Sequence, residues 1–81
     1  MSKIFYIDGR EYFFIKNLSN SNANNIFLLQ NSDTLYVYKK LGSQMFEFEL
    51  YSYNTLKKLK INIPNLIFID KENKIILREY I

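Results

Sequence analysis

The chain has 81 residues, 48% of them hydrophobic, with seven Tyr, seven Phe, no Trp and a formal net charge of +3. That length is room for one domain, which buries only about 60% of the surface its unfolded chain exposes. The absence of cysteine and histidine excludes a disulfide framework, zinc chemistry based on those ligands and the commonest general base.

The apolar content lies well outside the range of disordered chains. Acids and bases are interspersed along both halves, so the positive charge is not gathered into a nucleic-acid-binding tail. The N-terminal residues 1–5 carry no signal-type apolar region, and no apolar run approaches the roughly 18 residues of a membrane-spanning helix. A cytoplasmic protein is the expectation.

The first predicted element is a strand over 3–7, followed by Asp8-Gly9 and a second β-prone run at 12–15. An Asp-Gly pair between two such runs predicts an antiparallel hairpin. Residues 17–25, rich in Asn and Ser, favour turns and predict a loop. Two more strands, 26–30 and 35–40, flank the turn-forming Asn31-Ser32-Asp33 and predict a second hairpin.

Gly42 and Ser43 interrupt the strand pattern. Ser43 is the predicted N-cap of the one good helix, from about Gln44 to about Lys60, with Pro64 as a stop beyond it. Lys57, Lys58 and Lys60 would then lie in the last turn, where cations complement the helix dipole. Finally 66–69 and 74–80 flank Asp70-Lys71-Glu72-Asn73 and predict a closing hairpin. The expected architecture is α+β: a twisted antiparallel sheet of about five or six strands with one long helix packed on one face, in a single domain spanning 1–81.

Helical periodicity predicts that Met45, Phe46, Phe48, Leu50, Tyr53, Leu56 and Leu59 share one broad face, with Glu49 near its middle and Glu47 turned outward beside Asn54 and Lys58. A buried carboxylate without a partner loses several kcal/mol of hydration, so Glu49 should meet a cation. On the preceding strand Leu35, Val37 and Lys39 alternate onto one side and Tyr36, Tyr38 and Lys40 onto the other. Lys39 is the expected partner, because its face carries the smaller groups suited to lining a cleft. The alternative is that Glu49 snorkels to the sheet edge and both lysines stay solvated.

The run Leu18-Ser19-Asn20-Ser21-Asn22-Ala23-Asn24-Asn25-Ile26-Phe27-Leu28-Leu29, then Tyr36-Val37-Tyr38-Lys39, Glu49 on a helix, Ile63-Pro64 and Ile76-Leu77-Arg78-Glu79-Tyr80-Ile81 resembles the N-terminal lobe of the aminoglycoside phosphotransferase and choline kinase branch of the protein-kinase-like superfamily. The resemblance covers about residues 11–81. It implies ATP as the cofactor, with Lys39 on its α- and β-phosphates, Glu49 positioning that lysine, and Ser19, Asn20, Ser21 and Asn22 in a loop over the phosphates. It also implies that Glu79 to Ile81 form a hinge whose backbone reads adenine.

Two departures from the family pattern imply weak nucleotide binding. The phosphate-covering loop has no glycine, the residue that lets backbone N–H groups approach phosphate. Arg78 stands just before the hinge, where the family carries an apolar residue beside the adenine pocket. The catalytic base and magnesium ligands belong to the C-terminal lobe of such enzymes. No metal is therefore expected on this chain alone, and catalysis would need a C-lobe in cis or in trans.

The competing expectation is a small stand-alone interaction or inhibitor protein acting by protein binding, a reading compatible with a mobile-element origin given the Asn-, Lys- and Ile-rich composition. An exposed face of Tyr and Phe would also favour self-association. Nucleic-acid binding is the least favoured expectation, since no basic-aromatic motif is evident and most aromatic residues are needed for the core.

Overall fold

Asp8 and Gly9 both take left-handed dihedrals, with φ of 51° and 78°. That is the requirement of the tight two-residue turn whose twist matches paired strands. In this computed structural model, which describes residues 3–19 and 25–80, the turn joins β1 (Ile4–Ile7) to β2 (Arg10–Asn17), with Ile7 paired to Arg10 across it. A second hairpin joins β3 (Asn25–Asn31) to β4 (Thr34–Lys40), with Ser32 left-handed at φ 54°. After α1 (Ser43–Lys58), β5 (Leu66–Asp70) and β6 (Ile75–Glu79) form the third. The Asp70 carboxylate ties that last turn by accepting from the Glu72 and Asn73 amides and the Asn73 side chain.

The six strands make one antiparallel sheet in the order β1-β2-β3-β4-β6-β5 among the described residues. β6 inserts between β4 and β5, so the helical excursion returns the chain to the open edge of β4. The expected α+β class, three hairpins and single helix are all present among the described residues.

The principal core, however, does not lie under the helix. Ile7, Tyr12, Leu29, Tyr38 and Leu77 are buried on the opposite face, surrounded by Phe5, Phe14, Phe27, Tyr36, Phe68 and Ile75. Edge strands β1 and β5 both contribute to this cluster, so the sheet curls until its own face encloses a core. A bulge between Phe14 and Lys16 in β2 locally increases the bend. Aromatic rings fill the curl: Phe27 stacks on Tyr38 at a centroid separation of 5.6 Å, and Tyr12 meets Tyr36 edge-on at 5.2 Å.

The helix side holds a smaller cluster of Leu41, Phe46 and Ile76, flanked by Leu50 and Leu66. Phe46 is the only buried residue of α1. The single broad apolar face expected of α1 is therefore divided. Phe46, Leu50 and Tyr53 turn toward the sheet, whereas Met45, Phe48, Leu56 and Leu59 form a second stripe about a third of a turn away and remain exposed. A helix lying on a curved sheet touches it along one narrow line, and a stripe wider than that line has nothing to meet.

The helix bounds agree with expectation to within two residues, but its caps differ. Gly42, not Ser43, is the N-cap: its φ and ψ of −69° and 164° are extended, while its carbonyl accepts from the Phe46 amide at 2.9 Å. Ser43 is already helical, which removes its hydroxyl from the capping position. The C-terminus falls at Lys58, before Lys60. Lys60 is left-handed at φ 58°, its amide donates to the Lys57 carbonyl, and the Ile61 amide donates to Leu56. This is the Schellman closure, with a lysine where glycine is usual. The helix is thus ended by its own cap, ahead of Pro64, and of the three lysines only Lys57 and Lys58 lie in the last turn.

Candidate functional site

Alternation along β4 places Leu35, Val37 and Lys39 on the helix side and Tyr36 and Tyr38 in the aromatic core, as the spacing predicts. Helical phase places Glu49 on the seam between the two apolar stripes of α1. The two side chains meet there: Lys39 Nζ donates to Glu49 Oε1 at 2.9 Å, with side-chain exposures of 14% and 32%. Lys40, on the other face, is exposed. Glu49 sits on the seam rather than in the middle of a buried face, which lets the pair keep partial contact with water.

The pair lines a groove of about 380 Å³ completed by Phe48, Ser52, Tyr53, Leu56, Ile63, Pro64 and Arg78. Phe48, Ser52 and Leu56 recur at four-residue spacing, so one helical row forms a wall. The 59–65 connection supplies the opposite rim, and the Tyr53 hydroxyl accepts from the Leu66 amide at 3.4 Å, tying α1 to β5. Arg78 enters from β6, where it is the ladder partner of Val37. A groove with an ion-paired lysine, a guanidinium and apolar walls suits a ligand with an anionic end and a flat apolar body.

The remaining expected residues are placed differently. Ser19 directs both its amide and its hydroxyl to Asn17 Oδ1, each at 2.8 Å, so its donors are used within the loop. The Leu18 amide donates to the Ile26 carbonyl at 2.7 Å and closes the base of that loop. Asn20, Ser21 and Asn22 lie outside the described residues, as does Ile81. Glu79 ends β6 opposite Tyr36, so its side chain falls on the face away from Lys39. Its amide donates to the Asn65 carbonyl at 3.0 Å, and its carbonyl accepts from Arg78 Nη1 at 3.2 Å.

The sequence reading therefore locates the ion pair but misses most of the groove lining. The four-residue row Phe48-Ser52-Leu56 was the available signal. Phe48 and Leu56 fall within the broad apolar face expected of α1 and Ser52 does not, and periodicity does not distinguish a stripe that packs from one that stays open. Among the described residues no group of three or more acidic, His or Cys side chains is arranged to hold a metal ion. No described helix is long and apolar enough to cross a membrane.

No protein-family model, curated protein or solved structure matches this chain.

Proposed function

We propose that this chain is a nucleotide-binding half-site, the counterpart of the N-terminal lobe in the aminoglycoside phosphotransferase and choline kinase branch of the protein-kinase-like superfamily. It would become catalytic only when a C-lobe completes it in cis or in trans. The observation that carries the reading is the 2.9 Å contact between a lysine on a central strand and a glutamate on the following helix, at the edge of an open groove. Kinases use a strand lysine and helix glutamate paired in this way to hold the phosphates of ATP. The order of elements, with the helix inserted between β4 and the closing hairpin, supports the same reading.

The exposed stripe of Met45, Phe48, Leu56 and Leu59 beside the groove supports the need for a second lobe, since a face of this kind marks an interaction surface. It is also the observation behind the alternative, a stand-alone domain that uses the stripe to bind another protein.

Titration of the isotope-labelled chain with ATP, followed by amide NMR, separates the two readings. A half-site gives millimolar binding with shifts at Val37, Lys39 and Tyr80 that disappear in Lys39→Met. No shift at millimolar ATP, or shifts indifferent to Lys39, would remove the nucleotide reading and leave the protein-binding one. Phosphotransfer by the purified chain to common acceptors is expected to be absent, because the base and magnesium ligands belong to the other lobe. Turnover lost on Lys39→Ala would refute that.

A further inference from the structure

Arg78 pairs with Val37 on one side and Leu66 on the other, so its side chain projects onto the same face as Lys39. The two cations of the groove are in different states. Lys39 is matched by Glu49, whereas Arg78 has no carboxylate within ion-pair distance among the described residues. Its described hydrogen bond is to the carbonyl of Glu79, at 3.2 Å. That bond engages one guanidinium N–H, and among the described residues no other hydrogen bond from this planar fork is seen.

Arg78 lines the groove, so its guanidinium sets donors on that wall. A bare carbonyl at residue 79 would accept a hydrogen from the exocyclic amino group of adenine. One Arg78 N–H already occupies a lone pair of that carbonyl, and the guanidinium sets further donors beside it. Val37, across the ladder from Arg78, is only 3% exposed, so a base has little strand surface to lie on there without displacing side chains. The base must engage the guanidinium itself. Guanine presents two adjacent acceptors, O6 and N7, which match an arginine fork in a bidentate manner, whereas adenine presents a donor and an acceptor at the same positions.

Building on the half-site reading above, we propose that Arg78 is the base-selecting residue of this groove and that it favours guanine over adenine nucleotides. The preference arises at the base, and the Lys39–Glu49 pair serves the phosphates of either nucleotide.

The test measures dissociation constants of the full chain for GTP, ATP and inorganic tripolyphosphate by amide NMR titration at one low ionic strength. The wild-type chain is expected to bind GTP about tenfold more tightly than ATP, a typical discrimination for one bidentate pair. Arg78→Lys keeps the charge and removes the fork, and should bring the two constants to within about twofold of each other. Arg78→Met should do the same, with the amide spectrum reporting that each variant is folded. Equal or tighter ATP binding by the wild type overturns the proposal without any variant, as does a GTP preference that survives Arg78→Lys. If tripolyphosphate binds and neither base adds affinity, base selection fails while the half-site stands. Failure of all three probes to bind removes both.

Discussion

Lys39 and Glu49 lie ten residues apart on different elements and meet at 2.9 Å, with the lysine side chain 14% exposed and the carboxylate 32%. Solvent reaches the pair from the groove, so it is neither a free surface contact nor a sealed one. Exposed pairs contribute about 0–1 kcal/mol, and truncating one member of a partly buried pair also leaves its partner desolvated. A double-mutant cycle of Lys39→Met and Glu49→Gln, read by denaturant unfolding, is expected to give a coupling above about 1 kcal/mol. Additive single effects would mean that the contact does not hold α1 to the sheet.

Phe46 and Phe48 test which stripe of α1 carries stability. Phe46 is fully buried and Phe48 is 63% exposed. Phe46→Ala should cost about 3–5 kcal/mol, a large part of the roughly 4–12 kcal/mol expected of a domain this size. Phe48→Ser should fall within about 0.5 kcal/mol of the parent. Comparable losses in urea unfolding would show that the second stripe is covered in solution.

Lys60 occupies the left-handed position of the Schellman closure at φ 58°. Glycine takes that conformation without the Cβ clash that costs other residues roughly 1–2 kcal/mol. Part of the gain is offset by the greater freedom of glycine in the unfolded chain. Lys60→Gly should therefore stabilise the protein by up to about 1 kcal/mol, and Lys60→Val should destabilise it. A neutral or harmful Lys60→Gly in thermal unfolding would argue that α1 ends differently.

The Asp70 carboxyl is held below its ordinary value of 3.8, first by the Asn73 side chain and then by the Asn73 and Glu72 amides, all of which donate to the ionised form. A depressed folded-state pKa adds stability that is fully present above the unfolded value. That stability is lost as pH falls from about 3.8 through the lower folded value. Carboxyl NMR titration should place Asp70 below the ordinary value, and Asn73→Ala should move it back up. An unshifted Asp70 in the parent protein would contradict the turn geometry.

Much of the local structure was legible from residue order alone. Asp8-Gly9, Asn31-Ser32-Asp33 and the run 70–73 mark three hairpins because turn chemistry acts over a few residues. Period-two alternation put Lys39 and Tyr38 on opposite faces, and helical phase separated Glu49 from Glu47. Together with the smaller groups on the Lys39 face these pointed to a Lys39–Glu49 pair, and the fold decided it against the alternative of two solvated lysines. The helix bounds were legible to within two residues, but the caps were not: glycine in the extended conformation took the cap from Ser43, and Lys60 accepted a left-handed dihedral before Pro64 was reached.

What the chain order left open is what each face meets. Strand alternation groups Tyr36 with Tyr38, and the broad apolar arc expected of α1 takes in both Phe46 and Phe48, but neither pattern contains information on curvature. The sheet curls, so its aromatic face closes on itself across strands distant in sequence, and that closure makes the larger core. The same curvature allows α1 only a narrow contact line, leaving Phe48 and Leu56 as groove walls rather than core. The ladder register then brings Arg78 of β6 opposite Val37 and into the groove with Lys39, a juxtaposition set by non-local strand pairing. Residue order alone thus determined the elements and their faces, through short-range sterics and hydrogen bonding. Tertiary packing decided which faces became core and which became site, because burial depends on long-range pairing and bend.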